Sequence, residues 1–373
     1  MTGIGGVLLA VVLVIHAGVA VVLTVNLISL AVWRRRRRPP VDVRVSVLIP
    51  ARNEEENLSR LLPTLLSQTD IDFEIIVTDD ASEDGTADVL RQHADPRLTV
   101  VQGQGPPPGW VGKPHALYQA CQRATGDVFL FLDADAQLRD EVALARLVAS
   151  WLRCGGHGTA LTGLPRYLDR GGAALLTSLV PFAVMALLPI PLVPRTSSPM
   201  IGALNGQIWL LSADDYRQLA PHEAVRDKVL EDVEIGRYLK RSGIQLHFED
   251  LGCELAVEMY GSFREAWSGF QKNAFLLAGG RPGGIATVGL VGFLLLYGTS
   301  WVVPSLLWLF GATGLWGLAT LVAIKLAIDR SGRFPLWVSL LAPVTLAMGW
   351  ILQLDSWRAH RTGTVAWKGR TVA

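Results

Sequence analysis

Between Arg38 and Arg281 the chain alternates short apolar runs with longer helix-forming stretches, and that alternation constrains its fold more than any other feature. Runs at 43–50, 74–78, 98–102 and 127–132 are short and rich in Val, Leu and Ile, while helical patterns at 54–68, 86–93 and 113–124 separate them. A parallel strand pair needs a crossover long enough to hold a helix, so this rhythm predicts an α/β protein with a mostly parallel sheet and helices on both faces. In such sheets ligands bind beyond the carboxyl ends of the strands. Acids stand there: Asp79 and Asp80 after the second run, Asp133 and Asp135 after the fourth.

Half of the 373 residues are hydrophobic and only 18% are charged, more apolar surface than one such domain can bury. The surplus sits at the two ends and in one central block. Residues 7–33 are apolar apart from His16, Thr24, Asn26 and Ser29, which exceeds the roughly 20 residues needed to span a hydrocarbon core. No small-residue cleavage site follows, so the segment is expected to remain as an anchor. Five arginines, Arg34 to Arg38, come next; they mark the cytoplasmic side and suit anionic headgroups. The expected layout is a transmembrane anchor at 1–33, a cytosolic domain at 34–280, and a transmembrane region with a basic tail at 281–373. Helices near 284–303, 305–328 and 335–354 would make the protein a multi-pass component of the cell membrane, with its central domain cytoplasmic.

The central block, 171–193, is apolar and flanked by Arg170 and Arg195. Read as a span, it would separate Asp232 from Asp80, Asp133 and Asp135 by a bilayer. Pro181, Pro189 and Pro191 interrupt it, so an interfacial or re-entrant helix pair is expected, and a buried core helix fits the same composition. Phe263, Trp267, Phe270, Ala274 and Leu277 recur at helical spacing and predict a second interfacial helix over 262–279.

Several classes are excluded. A net charge of +1 provides no field to recruit nucleic acid. Three cysteines, Cys121, Cys154 and Cys253, are odd in number and lack a CxxC pair, which argues against a disulfide framework or a zinc knuckle. A transporter would show intramembrane charge pairs; Lys325, near a helix end, can snorkel instead.

The chemistry-bearing residues form three groups. Asp133-Ala134-Asp135 closes an apolar strand, and two carboxylates one residue apart suit a hard divalent cation that bridges substrate phosphates. Gly112-Lys113 ends a flexible, cationic turn leading into a helix, but Pro107 and Pro114 occupy the first-glycine and hydroxyl positions of a Walker motif, so it is not one. Glu231-Asp232 opens a helical stretch, where acids either complement the macrodipole or accept a proton from an attacking hydroxyl.

Taken together, residues 45–280 resemble the family-2 glycosyltransferases of the GT-A fold. The resemblance rests on Val47-Leu48-Ile49-Pro50-Ala51-Arg52-Asn53-Glu54-Glu55, on Val77 through Thr86 with Asp79-Asp80, on Gly112-Lys113, on Gly126-Asp127 through Asp135, and on Glu231-Asp232 with Gly243. It implies inverting transfer from a nucleotide-diphosphate sugar. Pro50, Arg52, Glu54, Asp79 and Asp80 would hold the nucleoside side, Asp133 and Asp135 would hold Mg²⁺ or Mn²⁺ on the diphosphate, Lys113 would be a further cation for the leaving group, and Glu231 would also bind substrate. Asp232 would be the catalytic base.

The anchor, Pro-Pro-Gly-Trp-Val-Gly-Lys at 107–113 and Trp367-Lys368-Gly369-Arg370 are similar to a narrower group, the membrane glycosyltransferases of carotenoid and hopanoid pathways. That likeness implies a hexose, most simply glucose from UDP-glucose, and a lipid acceptor in the membrane such as a carotenoid or other isoprenoid. Processive members carry QxxRW after the base; here the region reads Gln271-Lys272-Asn273-Ala274-Phe275, which argues for a single transfer. A polyprenyl-phosphate sugar synthase and a non-catalytic scaffold that binds nucleotide sugars are the alternatives.

Overall fold

The computed structural model describes residues 4–35, 38–202, 204–277, 313–367 and 370–371. They fall into two compact units. One gathers Ser29–Arg166 with Ile190–Glu258; the other gathers Met1–Ile28, Tyr167–Pro189 and Met259–Ala373.

The first unit is built on β1 (Val45–Ala51), β2 (Phe73–Asp80), β3 (Leu98–Gly103), β4 (Val128–Leu132), β5 (Ala136–Leu138), β6 (Thr159–Leu164), β7 (Arg166–Tyr167), β8 (Ile208–Ser212), β9 (Gln245–Asp250) and β10 (Leu255–Val257). Seven strands form one sheet in the order β3-β2-β1-β4-β8-β6-β9. The first four are parallel; β8 runs antiparallel between β4 and β6, and β6 pairs in parallel with β9. The α/β expectation holds, with β8 as the antiparallel exception.

Helices Glu55–Leu66, Thr86–Gln92, Gly112–Cys121 and Ala143–Cys154 provide the crossovers. Strands buried on both faces read as continuous apolar runs, and Val45, Val47, Leu48 and Ile49 are fully buried accordingly. Behind β4 and β8, Phe131 stacks on Trp209 at 3.8 Å between centroids, with Tyr216 and His222 packed around them. Aromatic packing of this kind fixes the end of β4, where Asp133 begins.

The arginine run serves this unit as well as any surface outside it. Arg38 pairs with the buried Glu254 at 2.7 Å, and Arg34 reaches Asp250 at 3.7 Å and also Cys253. The carboxylates of the 250–254 turn hold these two guanidiniums, because a buried acid such as Glu254 needs a counter-charge.

In the second unit, among the described residues, one helix is long and apolar enough to cross a bilayer: the stretch His16–Arg34 of the helix Ile4–Arg35. Val14, Val21, Val25, Ile28 and Val32 are exposed along one side of that helix, whereas Leu23, Asn26 and Leu30 are buried. The Asn26 amide donates to Met185 O at 3.0 Å and to Leu188 O at 2.8 Å. These carbonyls close the helix Leu179–Leu187, whose last turn has no intrahelical donors, so a polar residue inside an apolar run has a structural reason.

The block 171–193 forms two helices, Gly171–Thr177 and Leu179–Leu187, and most of their residues are buried. Ala174 and Leu175 pack with Tyr167, Phe334 and Val338. The expected crossing at 284–303 lies outside the described residues, as does the start of the one at 305–328. The third expected crossing is broken: Leu336–Leu340 is a short helix, and a new one, Ala342–Thr362, starts after Leu341.

Two further expectations change here. Lys325 does not snorkel. It is fully buried, 2.5 Å from Asp329 Oδ1 one helical turn on, and donates to Ser178 Oγ at 2.8 Å, while Ser339 donates to Asp329 Oδ2 at 2.8 Å. The helix Phe263–Leu277 divides the expected stripe: Ala274 is inside together with Ala266 and Phe275, Trp267 and Phe270 are half-buried, and Phe263 and Leu277 are exposed. Hydrogen bonds decide that orientation. Trp267 Nε1 and Gln271 Nε2 both donate to Asp355 Oδ2, at 2.9 and 2.7 Å. Gln271, from the region aligned with QxxRW, is thus bound to a neighbouring helix.

Removing one member of a buried ion pair typically costs about 3–5 kcal/mol, because the other charge is left uncompensated. Lys325→Ala should therefore lower Tm sharply in detergent, and the double replacement Lys325→Met with Asp329→Leu should recover most of the loss. Equal Tm values for the single variant and the unaltered protein would contradict this account.

Candidate active site

The parallel strands bring their carboxyl ends to one edge of the sheet. Pro50 is opposite Thr78 and Ala51 opposite Asp79, and with Leu48 opposite Phe131 the register carries Asp133 level with Pro50. Asp79 and Asp80 end β2 and are both buried.

Several residues expected on the nucleoside side have structural duties at this edge. Asp79 Oδ1 accepts the Ser82 N–H at 3.0 Å, holding the turn in which Ala81 adopts φ 56°. Arg52 Nη1 donates to Asp80 O at 2.8 Å and Ala81 O at 3.1 Å, and its other arm lies 3.6 Å from Glu83. Glu54 accepts from Asn57 Nδ2 at 2.6 Å while its own N–H donates to Thr86 Oγ1 at 2.8 Å. Arg52, Glu54 and Asp79 therefore tie the loops after β1 and β2 into one rigid rim. Asp80 acts electrostatically on His115, two residues from Lys113, and the Trp110 ring packs against His115 at 5.4 Å and Tyr118 at 5.1 Å.

The centre of the site is Lys113, the second residue of the helix Gly112–Cys121. Its ammonium lies 2.8 and 2.9 Å from the two oxygens of Asp133 and 3.1 Å from Glu231 Oε1, and it donates to Gly206 O at 3.3 Å. Burial alone would lower its pKa, but the charges of Asp133 and Glu231, with Asp232 behind them, outweigh that and hold it well above the ordinary lysine value. Lys113 is a fixed cation here.

Glu231 and Asp232 begin the helix Glu231–Arg241. Asp232 Oδ2 accepts the Gly206 N–H at 3.1 Å and Oδ1 accepts the Val233 N–H at 2.8 Å. Burial pushes its carboxyl up to about 6 and the neighbouring Glu231 adds to the shift, while Lys113 and the two N–H bonds oppose it. A carboxylate poised this close to neutrality can accept a proton at physiological pH and remain mostly ionised beforehand. Behind the lysine, His222 is wholly buried against Tyr216 Oη at 2.9 Å; burial and the lysine's charge lower its pKa to about 3, so it is neutral.

Asp133, Glu231, Asp232 and Lys113 are thus gathered around one ammonium, although 99 residues separate Asp133 from Asp232. Asp135 is half-buried one residue further along the strand-end turn, which Ala136 N–H closes onto Asp133 O at 3.2 Å; its own carbonyl accepts the Glu258 N–H at 3.1 Å. Among the described residues no group of three or more His, Cys, Asp or Glu is placed to hold a metal alone. The donor chemistry of Asp133 and Asp135 fits a hard divalent ion that completes its shell with phosphate oxygens and water.

Sequence reasoning passed over the turn Asn205-Gly206-Gln207, which touches three of these groups: Gln207 O accepts the Asp133 N–H at 3.1 Å, and Gly206 contacts Asp232 and Lys113. The available signal was an Asn-Gly dipeptide just before an apolar strand.

Comparison with known proteins accords with this geometry. Residues 46–170 match the family model described as Glycosyl transferase family 2. A 4,4'-diaponeurosporenoate glycosyltransferase of Staphylococcus haemolyticus (strain JCSC1435) is 25% identical over 360 residues, covering 90% of each chain. The protein of the same name in Staphylococcus aureus (strain USA300) is 24% identical over 351 residues, covering 87% of each. Among solved structures, the mannosyltransferase PcManGT from Pyrobaculum calidifontis, in complex with GDP-Man and Mn²⁺, matches with a TM-score of 0.55 at 19% identity, over 93% of this chain and 99% of that one. The structural likeness speaks for the GT-A fold.

With Lys113 removed, Asp133 and Glu231 would face each other with no counter-charge. Lys113→Ala should cost about 1–3 kcal/mol of stability, the usual penalty for a polar group left without its partner. Lys113 also holds down the burial-raised pKa of Asp232, so its loss lets that carboxyl rise further. An acid whose folded pKa is raised destabilises the folded state above its unfolded pKa, and the penalty shrinks as pH falls. Thermal unfolding at pH 8 and pH 5.5 should show a smaller deficit at the lower value; an equal deficit at both would exclude the electrostatic cause.

Proposed function

We propose that this chain, a glycosyltransferase with a family-2 domain, moves a hexose from a nucleotide-diphosphate sugar to a lipid acceptor dissolved in the membrane, with inversion at the anomeric carbon. The observation that carries the proposal is the convergence of Asp133, Glu231 and Asp232 on Lys113 at the carboxyl edge of the sheet. A donor diphosphate bound there would meet a fixed cation, and an acceptor hydroxyl or carboxyl would meet a buried carboxylate.

Asp133 and Asp135 would hold Mg²⁺ or Mn²⁺, which when bound supplies Lewis-acid stabilisation of the charge that develops on the departing diphosphate. Lys113 neutralises Asp133. On donor binding its ammonium is available to the leaving diphosphate, a preorganised electrostatic contribution that needs no solvent reorganisation. Asp232 takes the proton from the acceptor oxygen as that oxygen attacks. Asp80 and the rim built by Pro50, Arg52, Glu54 and Asp79 shape the nucleoside end.

The names of the similar proteins support a carotenoid-type acceptor. UDP-glucose is the donor we favour. The apolar helix Ile4–Arg35, with Val14, Val21, Val25, Ile28 and Val32 exposed, supports residence at a membrane, where such an acceptor is found.

The test is transfer of label from UDP-glucose into organic-extractable lipid by the full-length protein in membranes. Replacing a general base typically costs 10²–10⁴ in rate, so Asp232→Asn should lower kcat by about that factor and leave Mn²⁺-dependent UDP binding intact. Because the carboxyl sits near 6, kcat should fall as pH drops below about 6 and level off above 7. Near-full activity of Asp232→Asn would point to an acceptor that is already anionic, such as a polyprenyl phosphate. Asp133→Asn and Asp135→Asn should each weaken UDP binding in Mn²⁺ more than in its absence; UDP binding without transfer by the unaltered protein would indicate a scaffold, and no UDP binding would remove the nucleotide-sugar reading.

A further inference from the structure

Gly206 sits where two functional groups meet. Its N–H donates to Asp232 Oδ2 at 3.1 Å, and its carbonyl accepts from Lys113 Nζ at 3.3 Å. A Cβ on this residue would lie 2.8 Å from Asp232 Oδ2 and 3.3 Å from Asp232 Cγ. Its backbone is not in the left-handed region, so close approach and not conformational freedom requires glycine.

The turn around it is held from three sides. Asn205 N–H donates to Thr162 Oγ1 at 2.9 Å and Asn205 Nδ2 to Gly163 O at 2.8 Å, both on β6. Asn205 Oδ1 accepts the Gln207 N–H at 3.2 Å, and Ile208 N–H returns to Asn205 O at 3.1 Å. Gln207 O takes the Asp133 N–H at 3.1 Å, so the strand end bearing the diphosphate-side carboxylate is fastened to the same turn. Glu231 already ties the Asp232 helix to Lys113 at 3.1 Å, but Asp232 itself meets the lysine through Gly206, whose two peptides hold the carboxylate on one side and the ammonium on the other.

We propose that Gly206 is a positioning residue, its N–H aiming the Asp232 carboxylate while its C=O fixes the Lys113 ammonium, so that one glycine sets base and cation at a constant separation. The inference rests on Asp232 acting as the base. Misplacing a reacting group by about 1 Å can cost on the order of a hundredfold in rate, and a methyl group at position 206, 2.8 Å from Asp232 Oδ2, forces that carboxylate out of its place.

The experiment compares the full-length unaltered protein with Gly206→Ala and Asn205→Ala, in detergent with Mn²⁺. UDP affinity is read by calorimetry, and kcat and KM by transfer from labelled UDP-glucose into extractable lipid. Gly206→Ala should lose on the order of a hundredfold in kcat while UDP affinity and the KM for UDP-glucose stay within about threefold. Asn205→Ala keeps the glycine and loosens its frame, so a smaller loss confined to kcat is expected. Unaltered kcat in Gly206→Ala, or losses in both variants matched by lost UDP affinity, would overturn the assignment. Full activity of Asp232→Asn, or no transfer by the unaltered protein, would instead remove the catalytic reading on which the inference rests.

Discussion

Like-charged groups do not converge unaided, and here one ammonium makes their convergence possible. Lys113 stands between Asp133 and Glu231, with Asp232 one peptide away through Gly206. In a half-buried setting the repulsion among these carboxylates would otherwise be relieved by protonation or by opening of the site. The lysine neutralises Asp133 and restrains the rise in the Asp232 pKa that burial imposes. A site organised in this way is charged before substrate arrives, so little reorganisation remains for the chemical step.

The scaffold explains why these groups reach one place. Parallel strands deliver their carboxyl ends to a common edge, and a short helix beginning at Glu231 presents its acidic first turn to that edge. Acids in a first helical turn are stabilised by the macrodipole, which offsets part of the cost of holding them together. The second unit solves a different problem. Several polar side chains on its apolar helices have partners inside the unit: Asn26 on the carbonyls of 185 and 188, Lys325 on Asp329, Trp267 and Gln271 on Asp355. Such contacts fix which helix faces meet, because in apolar surroundings an unpaired polar group is costly.

Much of the first unit was legible from local pattern. Strands expected at 74–78 and 127–132 appear as Phe73–Asp80 and Val128–Leu132, and helices expected at 86–93 and 113–124 appear as Thr86–Gln92 and Gly112–Cys121. Period and turn chemistry are properties of neighbours in the chain, so they survive in the sequence. The antiparallel insertion of β8 between β4 and β6 was not legible, nor was the division of the stripe on Phe263–Leu277, where Ala274 is buried beside Ala266 and Trp267 donates to Asp355. The arginine run showed the same limit: its charge was plain, but its partners Asp250 and Glu254 lie more than two hundred residues away.

The sequence by itself determined the α/β rhythm, the acids at the strand ends and the residue types able to hold a cation, a diphosphate and a proton. Each of those is written in a few adjacent residues. Only the tertiary structure decided that Lys113 would be shared between Asp133 and Glu231, that Asp79 and Arg52 would brace turns, and that Gly206 would stand against Asp232. Two of those pairings cross 26 and 118 residues of chain, between Asp232 and Gly206 and between Glu231 and Lys113. Distances of that kind are set by how the sheet stacks its strands and where helices start, and no local pattern encodes them.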